Sequence, residues 1–302
     1  MPELPEVETI LRGLASSVAG RRLERLEILD PRFGAPASPA ELEQPVAGRR
    51  VVRLARRGKY LILELEGERS AEDPAPEPLH LVLHLRMTGN LLLAGPGEPA
   101  APPHLRVRFT LDSGDRVLLT DPRRFGTGVL LRGSDALEAY FAARLGVEPL
   151  DAGFTAEALR ALAAGRRAPV KAFLLTQERI AGVGNIYADE ALFRARIHPE
   201  RPVGSLGRPQ LTALRDAVVE SLEAGIDARG ATIDDFRHPD GARGSFQDRF
   251  LVHRRAGEPC PRCGAEIVKL RVAQRGTYVC ERCQPRPRRR RQPTPPARRR
   301  AA

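Results

Sequence analysis

Tryptophan is absent from this 302-residue sequence, aromatic residues make up only 5%, and no apolar run is long enough to cross a membrane. The scarcity of aromatics leaves aliphatic side chains to fill the core. Because no charged-then-apolar leader is visible, we expect a soluble protein of the cell interior with no membrane partner. With 42% hydrophobic residues, a chain of this length should form two domains with appendages.

Cysteine is scarce as well, and its placement is informative. All four cysteines lie in two Cys-x-x-Cys pairs, Cys260 with Cys263 and Cys280 with Cys283. This spacing predicts a zinc ribbon, and disulfides are the alternative that a reducing cell interior disfavours. Four thiolates would close the coordination of the metal, so we expect one structural zinc and no catalytic metal.

Acidic residues are missing from the end of the chain. The formal net charge is +11, and residues 286–302 carry eight arginines without one acid, which leaves +3 of the +11 for everything before them. A segment of this composition cannot build a core, so we predict a disordered basic tail. The tail is either a solvated appendage or an electrostatic arm for nucleic acid. The acidic, Pro-rich segment 66–78 is predicted to be a solvated hairpin loop.

The first residues are Met-Pro-Glu-Leu-Pro-Glu, and removal of Met1 would expose Pro2 as a secondary amine. Such an amine titrates near pKa ~8 and can capture a sugar anomeric carbon as an iminium. Glu3 stands beside it as a candidate general acid or base. The structural alternative is a helix start with Pro5 and Glu6 in the first turn. Both interpretations can hold, because apolar residues recur at helical spacing up to about Ala19.

The first half of the chain reads as strands and the second half as helices. Short Val- and Leu-rich runs bounded by Gly, Pro or Asp predict an antiparallel sandwich or barrel from strands at 51–56, 60–65, 79–85, 91–94, 105–111 and 116–120. From about Ala136 the pattern is helical, with helices predicted near 155–164, 169–178, 186–194 and 208–225. A loop-like segment, 236–248, leads to the cysteines, between which 267–279 predicts a β-hairpin with Arg275 near its turn, suited to gripping phosphate.

Three further segments point to nucleic acid. The turn at 177–185 is Gly-rich, so its backbone N–H groups predict a phosphate cradle in a helix-turn-helix, with Asn185 capping the second helix. The hairpin tips at 56–59 and 121–126 carry arginine, Lys59 and Phe125, which are either solvated turns or DNA contacts. Phe125 and Met87 are candidate wedges into a base stack, although a buried Met is the commoner use of that residue.

Taken together, these segments resemble the bacterial formamidopyrimidine-DNA glycosylase family. The resemblance rests on PELPEVET, RRGKYL, HLRMTG, TDPRRFG, QERIAGVGNIYADEALF, IHP and the four cysteines with QRGTYVC, in one order over residues 2–283. It implies an α+β multidomain fold in which DNA binds between domains. The implied divisions are an N-terminal antiparallel β-sandwich with a long first helix (2–135), a helix-two-turn-helix domain (136–235), a lesion-capping loop region (236–250), a zinc-ribbon finger (251–285) and the basic tail (286–302).

The resemblance also implies an activity and its residues. The family's N-terminal proline attacks the deoxyribose of an oxidised purine nucleotide, so Pro2 is the implied nucleophile, Glu3 protonates the sugar ring oxygen, and Glu6 supports the site. Extrusion of the nucleotide explains how a buried atom is reached. The implied DNA contacts are of three kinds: phosphate contacts that assist elimination, Lys59 and Arg275; backbone or lesion contacts, His104, Arg167, Lys171 and Asn185; and residues that fill the vacated space, Met87, Arg123 and Phe125.

We therefore expect a monomeric, cytoplasmic bacterial glycosylase and abasic-site lyase that acts on damaged double-stranded DNA without a small-molecule cofactor. Two alternatives stay open: a related glycosylase that prefers oxidised pyrimidines, and a catalytically silent zinc-ribbon DNA-binding protein. Arg86 stands where the family commonly has Gly, and His253 where it commonly has Tyr. These departures affect the wedge loop and the hinge into the zinc finger.

Overall fold

The computed structural model describes residues 2–66, 77–97 and 101–287. Most of the acidic segment 66–78 and nearly all of the basic tail lie outside the described residues, so the predictions for both stay predictions. Among the described residues, no helix is both long enough and apolar enough to span a bilayer.

The N-terminal half is an antiparallel β-sandwich preceded by a helix. In chain order its elements are α1 (Leu4–Val18), β1 (Arg22–Ile28), α2 (Pro39–Val46), β2 (Arg49–Arg57), β3 (Tyr60–Leu65), β4 (Leu79–His84), β5 (Asn90–Ala94), β6 (Leu105–Leu111), β7 (Arg116–Thr120) and β8 (Thr127–Arg132). Four strands, β5-β7-β6-β1, form one layer and four, β2-β3-β4-β8, form the other. The layers are joined where β1 pairs briefly with β2, at Arg22–Arg50 and Leu23–Arg49. This arrangement confirms the predicted fold class.

The C-terminal half is helical and ends in a small hairpin. Its elements are α3 (Gly133–Ala142), α4 (Ala156–Ala163), α5 (Val170–Leu174), α6 (Asn185–Arg194), α7 (Arg208–Asp227), β9 (Val268–Val272) and β10 (Arg275–Val279). Residues 175–184 form the turns between α5 and α6. Helix α6 lies at the centre, buried along nearly its whole length, with Tyr187 and Phe193 fully enclosed. The β9–β10 hairpin packs against it through a separate small cluster that includes Val252 and Ile267.

Helix α1 joins the two halves. Its first residue, Leu4, belongs to the core of the helical half, whereas Val7, Ile10, Leu14 and Val18 belong to the core between the sandwich layers. The helical spacing of its apolar residues therefore serves two cores at once. As a result, the start of α1, with Pro2 and Glu3 before it, lies at the boundary between the halves.

The structure adds four elements to the sequence-based assignment and shortens one. The added elements are strands β1 and β8 and helices α2 and α3, of which α3 was expected only as a helical pattern from about Ala136. The helix predicted over 169–178 ends at Leu174, because Thr176 begins a turn in which its carbonyl oxygen accepts the Arg179 and Ile180 N–H groups. The remaining predicted strands and helices are present within a few residues of their expected ends.

Candidate active site

A cleft of about 1220 Å³ runs between the sandwich, the helical half and the β9–β10 hairpin. Most of the residues predicted to act in chemistry or DNA binding line it. These are Pro2, Glu3, Glu6, Lys59, Met87, Arg123, Phe125, Asn185 and Arg275. The fold therefore brings together side chains that are up to 273 positions apart in the sequence.

Pro2 and Glu3 are buried where the start of α1 meets the start of α6. The Glu3 backbone N–H donates to Glu6 Oε2 at 2.8 Å, and Leu4 N–H donates to the Gly182 carbonyl oxygen at 3.1 Å. Glu3 Oε1 accepts the Ile186 N–H at 3.1 Å, whereas Glu3 Oε2 is buried without a hydrogen-bond partner among the described residues. One oxygen thus fixes the carboxyl group, and the other carries no hydrogen bond from the described residues.

The Gly-rich turn leads into α6, and the prediction that Asn185 caps this helix is wrong: Gly184 is the N-cap residue, and the amide of Asn185, the first helical residue, donates to the Gly276 carbonyl oxygen. A Cβ at Gly184 would overlap the Glu3 carboxyl group, so only glycine lets that group lie against the first turn of α6. The Ile186 N–H at this helix end donates to the Glu3 carboxylate, which suits the positive end of the helix dipole. The predicted phosphate cradle stays a prediction.

Glu6 ties this corner to both halves. Its Oε1 accepts the Tyr187 hydroxyl and the Ala231 N–H, each at 2.8 Å. Burial raises the pKa of Glu6, and the neighbouring Glu3 carboxylate raises it further, while the hydrogen bonds from Ala231, Tyr187 and Glu3 oppose the shift. The network holds Glu3, and Pro2 with it, at a fixed place in the cleft.

Lys59 faces the same corner from the turn between β2 and β3. Although we expected a hairpin tip to be exposed, the Lys59 residue is only 5% exposed. The tip is held inward because Arg56 bridges Glu8 and Glu148, each at 3.0 Å, and the Gly58 N–H donates to Glu148. Burial lowers the pKa of Lys59, against the opposing effect of the Glu3 and Glu6 carboxylates. Its ammonium has no hydrogen-bond partner within the described part of the chain.

The β9–β10 hairpin carries Arg275 into the cleft from the opposite side. Ala273 and Gln274 form its two-residue turn with φ values of 49° and 59°, as such hairpin turns require. The next residue along, Gly276, is held by the helical half: its carbonyl oxygen accepts Asn185 Nδ2 and Lys171 Nζ, both at 3.0 Å. Arg275 itself is exposed. The hairpin is thus rigidly seated with its arginine free to meet a ligand.

The four cysteine sulfurs form a compact cluster beneath this hairpin. They lie within 4.8 Å of one another, with 3.9 Å between Cys260 and Cys283 and 3.5 Å between Cys263 and Cys280. Tetrahedral zinc with bonds of about 2.3 Å needs sulfur separations of about 3.8 Å. The cluster therefore fits a zinc ion with no coordination position left over.

Two neighbouring loops present side chains to solvent at the cleft. Met87 is 39% exposed and Phe125 46%, which is unusual for large apolar residues. The Arg123 guanidinium carbon lies 4.7 Å from the centre of the Phe125 ring. Buried Asp121 builds the second loop by accepting N–H groups from Arg123, Phe125 and Gly126 at 3.2, 2.8 and 2.7 Å, and it joins the first loop through the Thr88 hydroxyl.

Three residues predicted to contact DNA do not line the cleft. His104 and Arg167 are exposed elsewhere on the surface. Lys171 is fully buried, and its three donors are taken by Asp189 Oδ1 at 2.6 Å, Thr277 Oγ1 at 2.8 Å and the Gly276 carbonyl oxygen. Lys171 has no surface left for a phosphate, and it connects α5 and α6 to the zinc hairpin.

Two histidines lie in the cleft that sequence reasoning did not place there, His84 and His253. His84 lies beside Lys59, and burial, followed by the charges of Arg86 and Lys59, lowers its pKa to about 3. His253 Nδ1 lies 2.8 Å from Asp189 Oδ2. His84 opens the HLRMTG segment, so its motif was a signal that could have found it, whereas the pairing of His253 with Asp189 spans the fold.

Comparison with known proteins accounts for most of the chain. Three family models match in order: the formamidopyrimidine-DNA glycosylase N-terminal domain over residues 1–128, the H2TH domain of the same enzymes over 145–237, and a zinc finger found in FPG and IleRS over 257–286. The chain belongs to the formamidopyrimidine-DNA glycosylase family. The zinc-finger match and the four-sulfur cluster together confirm the predicted structural zinc.

Individual members of the formamidopyrimidine-DNA glycosylase family are similar over nearly the whole length. The formamidopyrimidine-DNA glycosylase of Symbiobacterium thermophilum is 45% identical over 95% of this chain and 90% of its own. The crystal structure of Lactococcus lactis Fpg with DNA containing an abasic site has a TM-score of 0.84 at 32% identity, covering 94% of this chain and all of the other. The MutM (Fpg) protein of Thermus thermophilus has a TM-score of 0.81 at 40% identity, covering 94% and 98%.

Proposed function

We propose that this glycosylase excises oxidised purines from double-stranded DNA and then cleaves the abasic strand, with the Pro2 amine as nucleophile. The observation that carries the proposal is the meeting of Pro2, Glu3, Glu6 and Lys59 at one buried corner of a cleft wide enough for an extruded nucleotide. We also propose that the functional divisions follow the boundaries predicted above, that one chain suffices, and that the enzyme works in the bacterial cytoplasm.

The chemistry follows from an amine held beside a carboxyl group. The Pro2 nitrogen forms a bond to C1′ of the deoxyribose, the bond from C1′ to the base breaks, and the departing base takes a proton from solvent. Glu3 Oε2 accepts the proton that the Pro2 nitrogen gives up and passes it to the sugar ring oxygen, so the bond from C1′ to that oxygen opens and an iminium forms between C1′ and Pro2. The iminium acidifies the C2′ proton, and its removal expels the 3′ phosphate; a second elimination expels the 5′ phosphate, and hydrolysis frees Pro2.

Lys59 and Arg275 are proposed to hold the phosphates of the attacked nucleotide from opposite walls. A buried ammonium without a partner gains most from an anion, because little water competes for it. The exposed Arg275 can meet phosphate oxygens with two parallel N–H groups. The Asn185 amide donates to the Gly276 carbonyl oxygen of the hairpin, and this bond is proposed to align the Arg275 contact.

The remaining DNA contacts are assigned by place. Met87, Arg123 and Phe125 are proposed to fill the space that the extruded nucleotide leaves in the duplex, as apolar side chains do in kinked DNA. His104 and Arg167 are proposed to meet the DNA backbone beyond the cleft. Because Lys171 is enclosed, we assign it to positioning the zinc hairpin and not to a phosphate.

Assays on defined duplexes test this proposal. Wild-type enzyme should release the free base from 8-oxoguanine duplex and cut the strand, whereas Glu3→Gln should bind the duplex and release no base. Lactococcus lactis Fpg has been crystallised with DNA containing an oxidised pyrimidine, so a pyrimidine lesion belongs in the panel. Faster release of the pyrimidine would favour the related specificity. Binding without base release from any lesion would overturn the enzymatic proposal.

A further inference from the structure

The free edge of β5 is covered by a loop from the other half of the molecule. β5 is the last strand of its layer, so this edge exposes backbone groups that need partners. The Leu93 N–H donates to the Pro239 carbonyl oxygen at 2.8 Å. Asn90, only 7% exposed, adds two bonds: its Nδ2 donates to the Asp235 carbonyl oxygen and its Oδ1 accepts the Arg237 N–H, each at 3.0 Å.

The covering loop has a second anchor close to the nucleophile. Its Ala231 N–H donates to Glu6 Oε1 at 2.8 Å, and Glu6 Oε2 accepts the N–H of Glu3. Between the two anchors the chain is braced by Thr232, whose hydroxyl donates to the Phe236 carbonyl oxygen at 3.1 Å and accepts the Gly244 N–H at 2.9 Å. Residues 231–237, which we call the arch, are therefore tied at both ends to the N-terminal half.

The arch forms a wall of the cleft next to Pro2. Ala231, Ile233 and Phe236 of the arch line the cleft together with Pro2 itself. A nucleotide whose C1′ meets the Pro2 nitrogen has its phosphates toward the charged groups of Lys59 and Arg275. Its base then points away from these two residues. The arch lies close to Glu3, because the Glu6 side chain accepts both the Ala231 N–H and the Glu3 N–H.

We propose that Asn90 is a positioning residue that fixes the arch against the extruded base. The inference rests on the proposed function and adds a residue to it. Its amide replaces two backbone partners along a strand edge, so the arch is held in place before DNA arrives. Met87 lies in the turn between β4 and β5, and Asn90 is the first residue of β5, so the clasp and a proposed wedge side chain are three positions apart.

This role separates two steps of the reaction. Breaking the bond to the base requires the base to be held in line, and small misplacement of reacting groups is costly. A preformed abasic site carries no nucleobase, so elimination at that site does not depend on holding one in line. Loss of the Asn90 clasp should therefore slow base excision and leave cleavage of abasic DNA unchanged, which a general loss of folding would not do.

The experiment compares Asn90→Ala with wild type on both substrates under single-turnover conditions. We expect excision of 8-oxoguanine to slow on the order of 10-fold to 100-fold, with abasic cleavage within about two-fold of wild type. Thr232→Val, which removes the brace and not the clasp, should give the same pattern. Gln44→Ala is the matched control. It removes an exposed side-chain amide on α2 and should change neither rate.

Hydrogen exchange measures the clasp directly. Peptides covering 231–239 should exchange faster in Asn90→Ala than in wild type, while α7 stays protected. Three results for Asn90→Ala would each overturn the proposal: an equal loss of rate on 8-oxoguanine and abasic DNA, an unchanged rate of base excision, or unchanged hydrogen exchange in the arch. If wild-type enzyme excised no base at all, the proposed function would fail, and the exchange experiment would still decide whether Asn90 holds the arch.

Discussion

At the scale of single residues, buried side chains set the electrostatics of the cleft, and His84 has the clearest consequence. Its ring accepts the Arg86 N–H at Nδ1 at 2.9 Å, and its pKa is lowered from 6.5 to about 3. As the pH falls, His84 is therefore protonated in the unfolded chain at a higher pH than in the folded protein. The stability due to neutral His84 is fully present above pH 6.5 and is lost as the pH falls toward 3.

We predict that His84→Gln makes the protein less sensitive to acid. Between pH 7 and pH 5, protonation of this histidine in the unfolded chain lowers the free energy of unfolding of the wild-type protein by about 2 kcal/mol, a loss that the glutamine variant does not have. Urea unfolding at both pH values measures the difference. Burial also lowers the pKa values of His80, His198 and His238, but their contributions are common to both proteins and cancel. Parallel losses in the two proteins would contradict the buried neutral ring.

Asp121 gives a second prediction for a single residue. Asn in its place turns one acceptor oxygen into a donor that faces backbone N–H groups, so buried donors lose their partners. We expect Asp121→Asn to lower the free energy of unfolding by about 1–3 kcal/mol and to weaken binding to lesion duplex. Asp115→Asn, at a less buried hairpin tip, should change stability by no more than about 0.5 kcal/mol. Equal effects of the two changes would show that Asp121 does not build the loop.

At the scale of elements, periodicity predicted those strands and helices whose apolar residues repeat regularly. Strand β1 was missed because a bulge between Leu23 and Arg25 interrupts its alternation, and α2 because Pro45 stands inside it. β8 leaves most of its residues only partly buried, so its pattern is weak. These elements depend on contacts with distant strands, which a local pattern does not contain.

The zinc hairpin yields the prediction for an element. Its own apolar cluster is small, so its fold depends on the metal, whereas the sandwich and helical cores are separate from it. Chelation should melt the hairpin, release Gly276 from Asn185 and Lys171, and weaken binding to lesion duplex. Circular dichroism should show that most secondary structure remains. Arg275→Ala should weaken binding with zinc retained, and full affinity in a protein proven free of zinc would contradict the account.

At the scale of the whole molecule, the site exists because α1 packs into two cores. The sequence was sufficient to predict Pro2 and Glu3 as candidate catalytic residues and the four cysteines as candidate zinc ligands, since short local motifs identify them. It was not sufficient to predict that Gly184 makes room for the Glu3 carboxyl group, that Lys59 is buried, or that Lys171 is enclosed. Those facts depend on contacts between distant parts of the chain: Glu3 with Gly184, 181 positions apart, Gly58 with Glu148, 90 apart, and Lys171 with Thr277, 106 apart.

The central claim is that the amine of Pro2, held in this cleft, becomes bonded to the sugar of the damaged nucleotide. Borohydride added to enzyme and 8-oxoguanine duplex should reduce the iminium and leave a stable adduct, and peptide mapping should place it on residue 2. Lys59→Ala should still form that adduct, because the lysine is assigned to phosphate. An adduct on Lys59, or no adduct from wild-type protein that binds and cuts the duplex, would contradict the account.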